Sequence, residues 1–272
     1  MSGPAVTMKN QPLILTGKIK LKHFDPGYCG RHDKREARKQ TEALGCQIGA
    51  MQPLLYANAR HAVLLIFQGM DASGKDGAIR SVLQHVNPAG VETVNFKVPS
   101  AEEGAHDFLW RIHHAVPRSG KIGVFNRSQY EAVLAERVLG LVSRKEWTQR
   151  YRQIVDFERL LVENRVLVLK FYLHISREEQ AARFRERLAN PKKNWKFSHA
   201  DITTRQHWDD YVDAYEDMLN ATSHAAARWH LVPADRNWYR DYVVAHTVVQ
   251  ALDQLKLKWP KMGKALANTR LI

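Results

Sequence analysis

Residues 62–80 read A-V-L-L-I-F-Q-G-M-D-A-S-G-K-D-G-A-I-R, and few folds accept such a run. Apolar β-formers stop at Gly69, a glycine-punctuated loop follows, and a helix-compatible stretch opens at Lys75. Ala78, Ile79, Val82, Leu83 and Val86 then recur at helical spacing. Gly69-x-x-x-x-Gly74-Lys75 is the spacing of a loop that wraps an anion between a strand and a helix. Glycines let the backbone turn tightly and aim the amides of Ala72, Ser73, Gly74, Asp76 and Gly77 at one point. The helix N-terminus adds its positive dipole end, and Lys75, expected on a solvent-facing turn, adds a full charge. The usual motif ends in Ser or Thr, whose hydroxyl ligates a metal. Here Asp76 takes that place, and a second carboxylate, Asp71, lies inside the loop.

The rest of the chain fits a strand–helix alternation around that unit. A helical pattern runs from Lys34 to about Ala59, with Ala43, Leu44, Ile48, Met51, Leu54 and Leu55 on one side. Strands are expected at Ala62–Gln68, Glu92–Lys97, Lys121–Asn126, Arg165–Ile175 and His230–Pro233. Spacing of this kind predicts an α/β domain with a parallel sheet sandwiched by helices. Ser100-Ala-Glu-Glu103 is a capping box opening a helix expected through His113. Residues 1–32, rich in Pro and Gly, are expected to drape over the surface, and the tail after Trp259 to be loosely ordered. The whole of residues 1–272 reads as one domain.

Forty-one Lys and Arg against 28 Asp and Glu leave a formal net charge of +13, which calls for a polyanionic partner. The cations crowd one segment, Arg177, Arg183, Arg185, Arg187, Lys192, Lys193 and Lys196, interrupted by Asn190-Pro191. A basic helix pair broken by a proline turn, at about 177–205, is expected to close over phosphates as a lid, excluding water and supplying charge. A solvated charged helix, with Glu178, Glu179 and Glu186 as partners, is the plainer reading of the same residues. Sites that move phosphoryl groups commonly hold a metal through an acidic residue at a second strand end. Here the third strand ends Phe125-Asn126-Arg127-Ser128-Gln129-Tyr130-Glu131. The carboxylates available for a metal are then Asp71, Asp76 and Glu131, with Arg127 placed to meet a phosphate.

Cys29 and Cys46 lie without ligand spacing and suit a reducing cytoplasm. No apolar run is long enough to span a membrane, and the first residues lack the apolar core of a secretory signal. His106, His113 and His114 read as surface or packing histidines on a helix. Trp195, Phe197, Trp208, Tyr211 and Tyr215 fit helix packing better than a base-stacking platform.

The chain resembles the polyphosphate kinases of family 2. The resemblance rests on Gly69-Met-Asp71-Ala-Ser-Gly74-Lys75-Asp-Gly77, on Phe96-Lys-Val-Pro-Ser-Ala-Glu-Glu103 with Asp107-Phe-Leu-Trp110-Arg111, and on Phe125-Asn-Arg-Ser-Gln-Tyr-Glu131. It continues in Asn190-Pro-Lys-Lys-Asn-Trp-Lys-Phe197 and Pro233-Ala-Asp-Arg-Asn-Trp-Tyr-Arg240, across roughly residues 15–255. It implies a P-loop kinase-like fold with a helical lid. It also implies Mg²⁺- or Mn²⁺-dependent, reversible phosphoryl transfer between inorganic polyphosphate and nucleotides such as AMP, ADP, GMP and GDP, by a homo-oligomer, dimer or tetramer. On this basis Asp71, Lys75, Arg127, Glu131 and Arg187 are the catalytic candidates, with Asp71 and Glu131 as metal ligands. Gly69, Ala72, Ser73, Gly74, Asp76, Gly77, Lys97, Arg111, Asn126, Arg183, Lys193 and Lys196 are the phosphate- and nucleotide-binding candidates. Many relatives carry Asp where this chain has Asn126, and the Asn126/Glu131 version resembles the subgroup called class III, with Glu131 as the compensating carboxylate.

Two other readings stay open from sequence. An ATP-dependent kinase of the same fold explains the loop but not the charge. A basic nucleic-acid-binding protein explains the charge, yet no RNA- or DNA-binding module is recognisable and the cations gather near the lid. A phosphate polymer explains both, since it binds by the same counterion release as nucleic acid.

Overall fold

A computed structural model describes residues 13–261. Residues 1–12 of the lead-in, and 262–272 of the tail expected after Trp259, lie outside that range. In chain order the elements are β1 (Leu13–Ile14), α1 (Lys34–Asn58), β2 (Ala62–Gln68), α2 (Lys75–Leu83) and β3 (Val91–Asn95). Two short helices, α3 (Ala101–Gly104) and α4 (Trp110–His114), lead to β4 (Ile122–Asn126), a 3₁₀ turn (Gln129–Val133) and α5 (Ala135–Val138). Then come α6 (Arg144–Glu163), β5 (Val166–His174), α7 (Arg177–Ala189), α8 (His199–Gln206), α9 (Trp208–Thr222), β6 (Trp229–Pro233) and α10 (Asn237–Gln254).

The sheet order is β1-β6-β5-β2-β4-β3, parallel except for β1. β2 is central, and all seven of its residues are buried. Only a strand covered on both faces can be apolar without alternation, which is why Ala62–Gln68 reads as a continuous run. Phe67 stacks on Phe171 of β5 with ring centroids 5.2 Å apart. Burying each such large apolar side chain is worth about 1.5–3 kcal/mol. α1, α2 and α10 pack together on one side, while α6 and α9 pack together and α6 lies against β5.

The helices start where the sequence caps them. Asp33 accepts from the amides of Arg35 and Glu36 at the head of α1, and Ser143 with Glu146 forms a capping box on α6. The Ser100–Glu103 box is also present, but the helix it opens does not reach His113. It ends at Gly104, and Asp107 turns the chain by accepting from the Leu109 amide before α4 begins. A second correction concerns the lead-in. Residues 13–14 form an antiparallel sixth strand on β6, and Leu15 and Leu21 are buried in the core. The edge of β6 presents unpaired amides and carbonyls, and the lead-in covers them instead of lying loosely on the surface.

The chain leaves β2 towards β3 on one side of the sheet and leaves β5 towards β6 on the other. Divergent exits at the carboxyl ends of neighbouring parallel strands open a crevice, the usual ligand position in such sheets. The loop after β2 and the start of α7 after β5 both border it.

Candidate active site

The loop between β2 and α2 takes the conformation its glycines permit. Gly69, Ala72 and Gly74 have φ of 151°, 64° and 95°. Gly74 and Gly77 are required for a further reason. The guanidinium of Arg240, from α10, lies directly beneath the loop, so a Cβ at Gly74 would collide with its Nη1 and one at Gly77 would come within 2.7 Å of its Nη2. Arg240 is buried, donates to the Ser73 carbonyl (3.4 Å) and Asn237 Oδ1 (2.7 Å), and is neutralised by Asp241 at 2.6 Å. Sequence reading missed Arg240 as a site residue, although it ends the last of the blocks that carry the resemblance.

Lys75 corrects an expectation. It is only 9 % exposed, and its Nζ folds back to donate to the carbonyls of Gly69 (2.7 Å) and Met70 (3.3 Å). Burial, with the positive charge of Arg127 adding to it, pulls its pKa down to about 8. The loop closes around its own lysine. Beside it, the Ser73 hydroxyl is buried without a hydrogen-bond partner. An unpaired buried hydroxyl and an ammonium that uses two of its three donors lie in one loop, an arrangement suited to an anion.

Arg127 stands at the end of β4 in the left-handed region, φ 62°, its amide bonded to the Phe67 carbonyl of β2. Its guanidinium contacts Asp71 of the loop (2.6 Å) and Glu131 of the 3₁₀ turn (3.7 Å). Glu131, against burial and together with Asp71, raises its pKa, so the charge is fixed. Glu131 is steadied in turn by Gln68, whose amide, oriented to satisfy both neighbours, donates to Glu131 Oε1 (3.1 Å) and accepts from Ser128 Oγ (3.1 Å). Asn126 donates to Asp76 (2.9 Å), tying the strand end to the first turn of α2. Tyr211 of α9 faces the same cluster: burial, with Glu131 and Asp71 adding to it, pushes its hydroxyl up to about 12. Asp71, Lys75, Arg127 and Glu131 therefore meet at one point. Asp71 and Glu131 share one cationic neighbour, and an all-oxygen pair of carboxylates suits a hard divalent cation such as Mg²⁺ or Mn²⁺.

The basic segment also comes to this crevice. Ser176 caps α7 by accepting from the Glu179 amide, and the first turns of the helix meet the loop. Gln180 donates to the Asp71 carbonyl (2.9 Å), and Arg183 to those of Ala72 (2.8 Å), Ala234 (2.7 Å) and Asp235 (2.9 Å). Arg187, one turn on, rests its guanidinium over Phe184 at 5.6 Å. Lys193 pairs with Glu186 (2.5 Å), and Lys196 ends the short turn Asn194–Lys196. The expected helix–proline turn–helix is thus present, and α8 is braced on α7 by Arg205, which donates to Gln180 Oε1 (2.9 Å). Phe184 packs edge-on against Phe197. Trp208, Tyr211 and Tyr215 are buried in the core, whereas Trp195 is exposed.

Lys97 and Arg111 form a separate group on the same edge of the sheet. Arg111 donates to the Lys97 carbonyl (2.8 Å), pairs with Glu103 (3.4 Å) and lies over Phe96 at 5.4 Å. With Asn95 and His114 they line a cavity of about 470 Å³. Asn95 is in register with Asn126, so this cavity opens beside the loop cluster. His106 stacks on Trp110, and His113 packs edge-on against Phe157.

A family model for polyphosphate kinase 2 matches residues 31–260. The chain is 44 % identical over 256 residues to an AMP/ADP-polyphosphate phosphotransferase of Meiothermus ruber, covering 93 % of this chain and 96 % of that protein. It is 45 % identical over 254 residues to an ADP-polyphosphate phosphotransferase of Rhodopseudomonas palustris, covering 89 % and 86 %. Its fold superposes on the crystal structure of polyphosphate kinase 2 from Arthrobacter aurescens TC1 with a TM-score of 0.90 at 38 % identity, over 94 % of this chain and 93 % of that one. With the anion cradle, the Asp71–Arg127–Glu131 cluster and a match over most of its length, this chain belongs to the polyphosphate kinase 2 family.

Proposed function

We propose that this protein transfers phosphoryl groups reversibly between inorganic polyphosphate and nucleoside mono- and diphosphates, taking AMP to ADP and ADP to ATP, with Mg²⁺ or Mn²⁺. The observation that carries the reading is the convergence of Lys75, Arg127, Asp71 and Glu131 beside an anion cradle in a family whose named members do this chemistry.

The residues divide the work as follows. The amides from Gly69 to Gly77 and the head of α2 receive the phosphate chain, and the Ser73 hydroxyl finds its partner there. Lys75 turns from its two carbonyls to a phosphate oxygen, which compensates its charge in the buried loop. Arg127 meets the transferring group, and Asp71 and Glu131 would hold the metal, which neutralises phosphate oxygens. An oxygen of the acceptor's terminal phosphate attacks the terminal phosphorus of the polymer, and the bond to the bridging oxygen breaks. The nucleotide gains one phosphate, and the shortened polymer keeps the electron pair. Lys97 and Arg111 line the space for the acceptor. Residues 177–205 act as the lid, with Arg183 locking it to the loop and Arg187, Lys193 and Lys196 giving it charge.

The net charge of +13 suits a polymer carrying about one charge per phosphate unit. Among the described residues no helix is long and apolar enough to cross a membrane, and Cys29 and Cys46 are both free thiols. A single domain working in the cytoplasm as a homo-oligomer completes the reading. Light scattering measures the last point.

Purified protein incubated with Mg²⁺, polyphosphate and AMP or ADP should yield ADP and ATP without any added nucleoside triphosphate, with activity falling as salt rises. If polyphosphate is inert and ATP is needed as the donor, the proposal fails.

A further inference from the structure

At the opposite end of α2 from the loop cluster, three chemically different ligating side chains meet on the surface where α1 passes the turn that follows α2. Glu42 and Cys46 are one turn apart on the same face of α1, and His85 lies two residues beyond the last residue of α2. One ligating atom from each lies within 4.8 Å of the other two. His85 Nε2 is already 2.7 Å from Glu42 Oε1. The sequence hides this group, because the third member lies far along the chain from the i, i+4 pair.

The approach is built into the helix. Gly45 and Gly49 occupy interior positions of α1, where each glycine costs about 1 kcal/mol relative to alanine. Both face His85. A Cβ at Gly45 would come 3.1 Å from its ring, and one at Gly49 would collide with its carbonyl oxygen. The imidazole is therefore seated against the α1 backbone. Glu42 is oriented as well, since Gln84 Nε2 donates to its other oxygen, Oε2, at 3.2 Å. A ligating carboxylate held by a neighbouring donor is a recurrent feature of metal centres.

We propose that Glu42, Cys46 and His85 form a binding site for a borderline-soft divalent cation, Zn²⁺ in the first place, with water as a fourth ligand. Thiolate, imidazole and carboxylate in a three-plus-one arrangement suit Zn²⁺, whereas Mg²⁺ prefers oxygen alone. The site is thus chemically orthogonal to the carboxylates of the loop cluster. Binding displaces the Cys46 thiol proton and any proton that His85 Nε2 carries, so affinity rises with pH. Its mechanical consequence is a staple between α1 and the carboxyl end of α2, the helix whose first residue is Lys75.

The test uses the full chain with Mg²⁺ in excess, so that oxygen-only sites are filled. Zn²⁺ titrated against a chromophoric chelator should show one tight equivalent, and Co²⁺ should give a thiolate-to-metal charge-transfer band. Cys46→Ser should abolish the band, weaken Zn²⁺ binding at least tenfold and remove the rise in melting temperature that Zn²⁺ produces in the wild type. His85→Ala should weaken Zn²⁺ as much, and Glu42→Gln should weaken it while keeping the band. Phosphoryl transfer by Cys46→Ser without zinc should match the wild type, so the outcome is independent of the proposed activity. Wild-type Zn²⁺ affinity in Cys46→Ser, or no charge-transfer band in the wild type, overturns the proposal.

Discussion

Among the described residues two lysines are buried, and they live in opposite circumstances. Lys170, in β5, is fully enclosed and uses all three donors: Glu158 Oε2 at 2.6 Å, the Tyr130 hydroxyl at 3.0 Å and the Thr222 carbonyl at 2.8 Å. Glu158 is completed by Tyr130 (2.5 Å), Gln129 (3.1 Å) and His224 (3.0 Å). Burial pushes the Glu158 carboxyl up, but Lys170, His224 and Tyr130 outweigh it and hold the group below the usual range. Lys75 has two backbone carbonyls and, among the described residues, no ion-paired carboxylate. A buried ammonium stabilises and specifies when all three of its donors are paired, and is available for chemistry when one is not. The Lys170 cluster anchors the 3₁₀ turn that carries Glu131. The Lys75 ammonium keeps one donor beyond its two carbonyls.

That contrast can be attacked first at its structural half. Lys170→Met leaves Glu158 buried and uncompensated, and should lower stability by about 3–5 kcal/mol in urea unfolding. A loss below about 1 kcal/mol would mean the network is ornamental and the contrast empty. Lys75→Met should do the reverse, reducing turnover on the order of 10²–10³-fold while the protein stays folded at neutral pH. Comparable activity in that variant would remove the loop from the mechanism.

Burial lowers the pKa of both lysines, and the pH dependence of stability checks that desolvation at Lys75. With a folded pKa of about 8 against the ordinary lysine value of 10.5, Lys75 binds fewer protons in the folded state than in the unfolded one between those values. Stability of the wild type relative to Lys75→Met should therefore climb with pH across that window, by about 3 kcal/mol in total. A flat difference between pH 7 and 11 would show that the ammonium is not desolvated. Smallest in size is the carboxylate test. Glu131→Gln should shift the Mg²⁺ requirement upward on the order of tenfold, and Asn126→Asp should alter the balance between AMP and ADP as acceptors. A Glu131→Gln enzyme with unchanged metal titrations would leave Asp71 alone on the metal.

What could be read in advance follows the range of the forces involved. The strand, loop and helix of 62–83 were legible because glycine spacing, apolar runs and caps act over a few residues. The bounds Ala62–Gln68 and the start at Lys75 agree with expectation. Asp71 and Arg127 were each legible as polar residues at loop and strand ends. Their 2.6 Å contact, across 56 residues of chain, was not. The helix expected through His113 failed because Asp107 competes for the backbone, a local effect that apolar periodicity overrides on paper.

The alternation of strands and helices, the glycine-rich loop between β2 and α2, the basic helix pair and the family were legible in the chain alone, since each is written in short-range pattern or in ordered blocks. The tertiary structure alone decided that Arg240 supports the loop from beneath, that Lys75 is enclosed by its own carbonyls, and that a lead-in strand closes the sheet edge. It also brought His85 to Glu42 and Cys46. These depend on how sheet and helices pack in three dimensions, where desolvation and charge are set by neighbours that the chain order does not reveal.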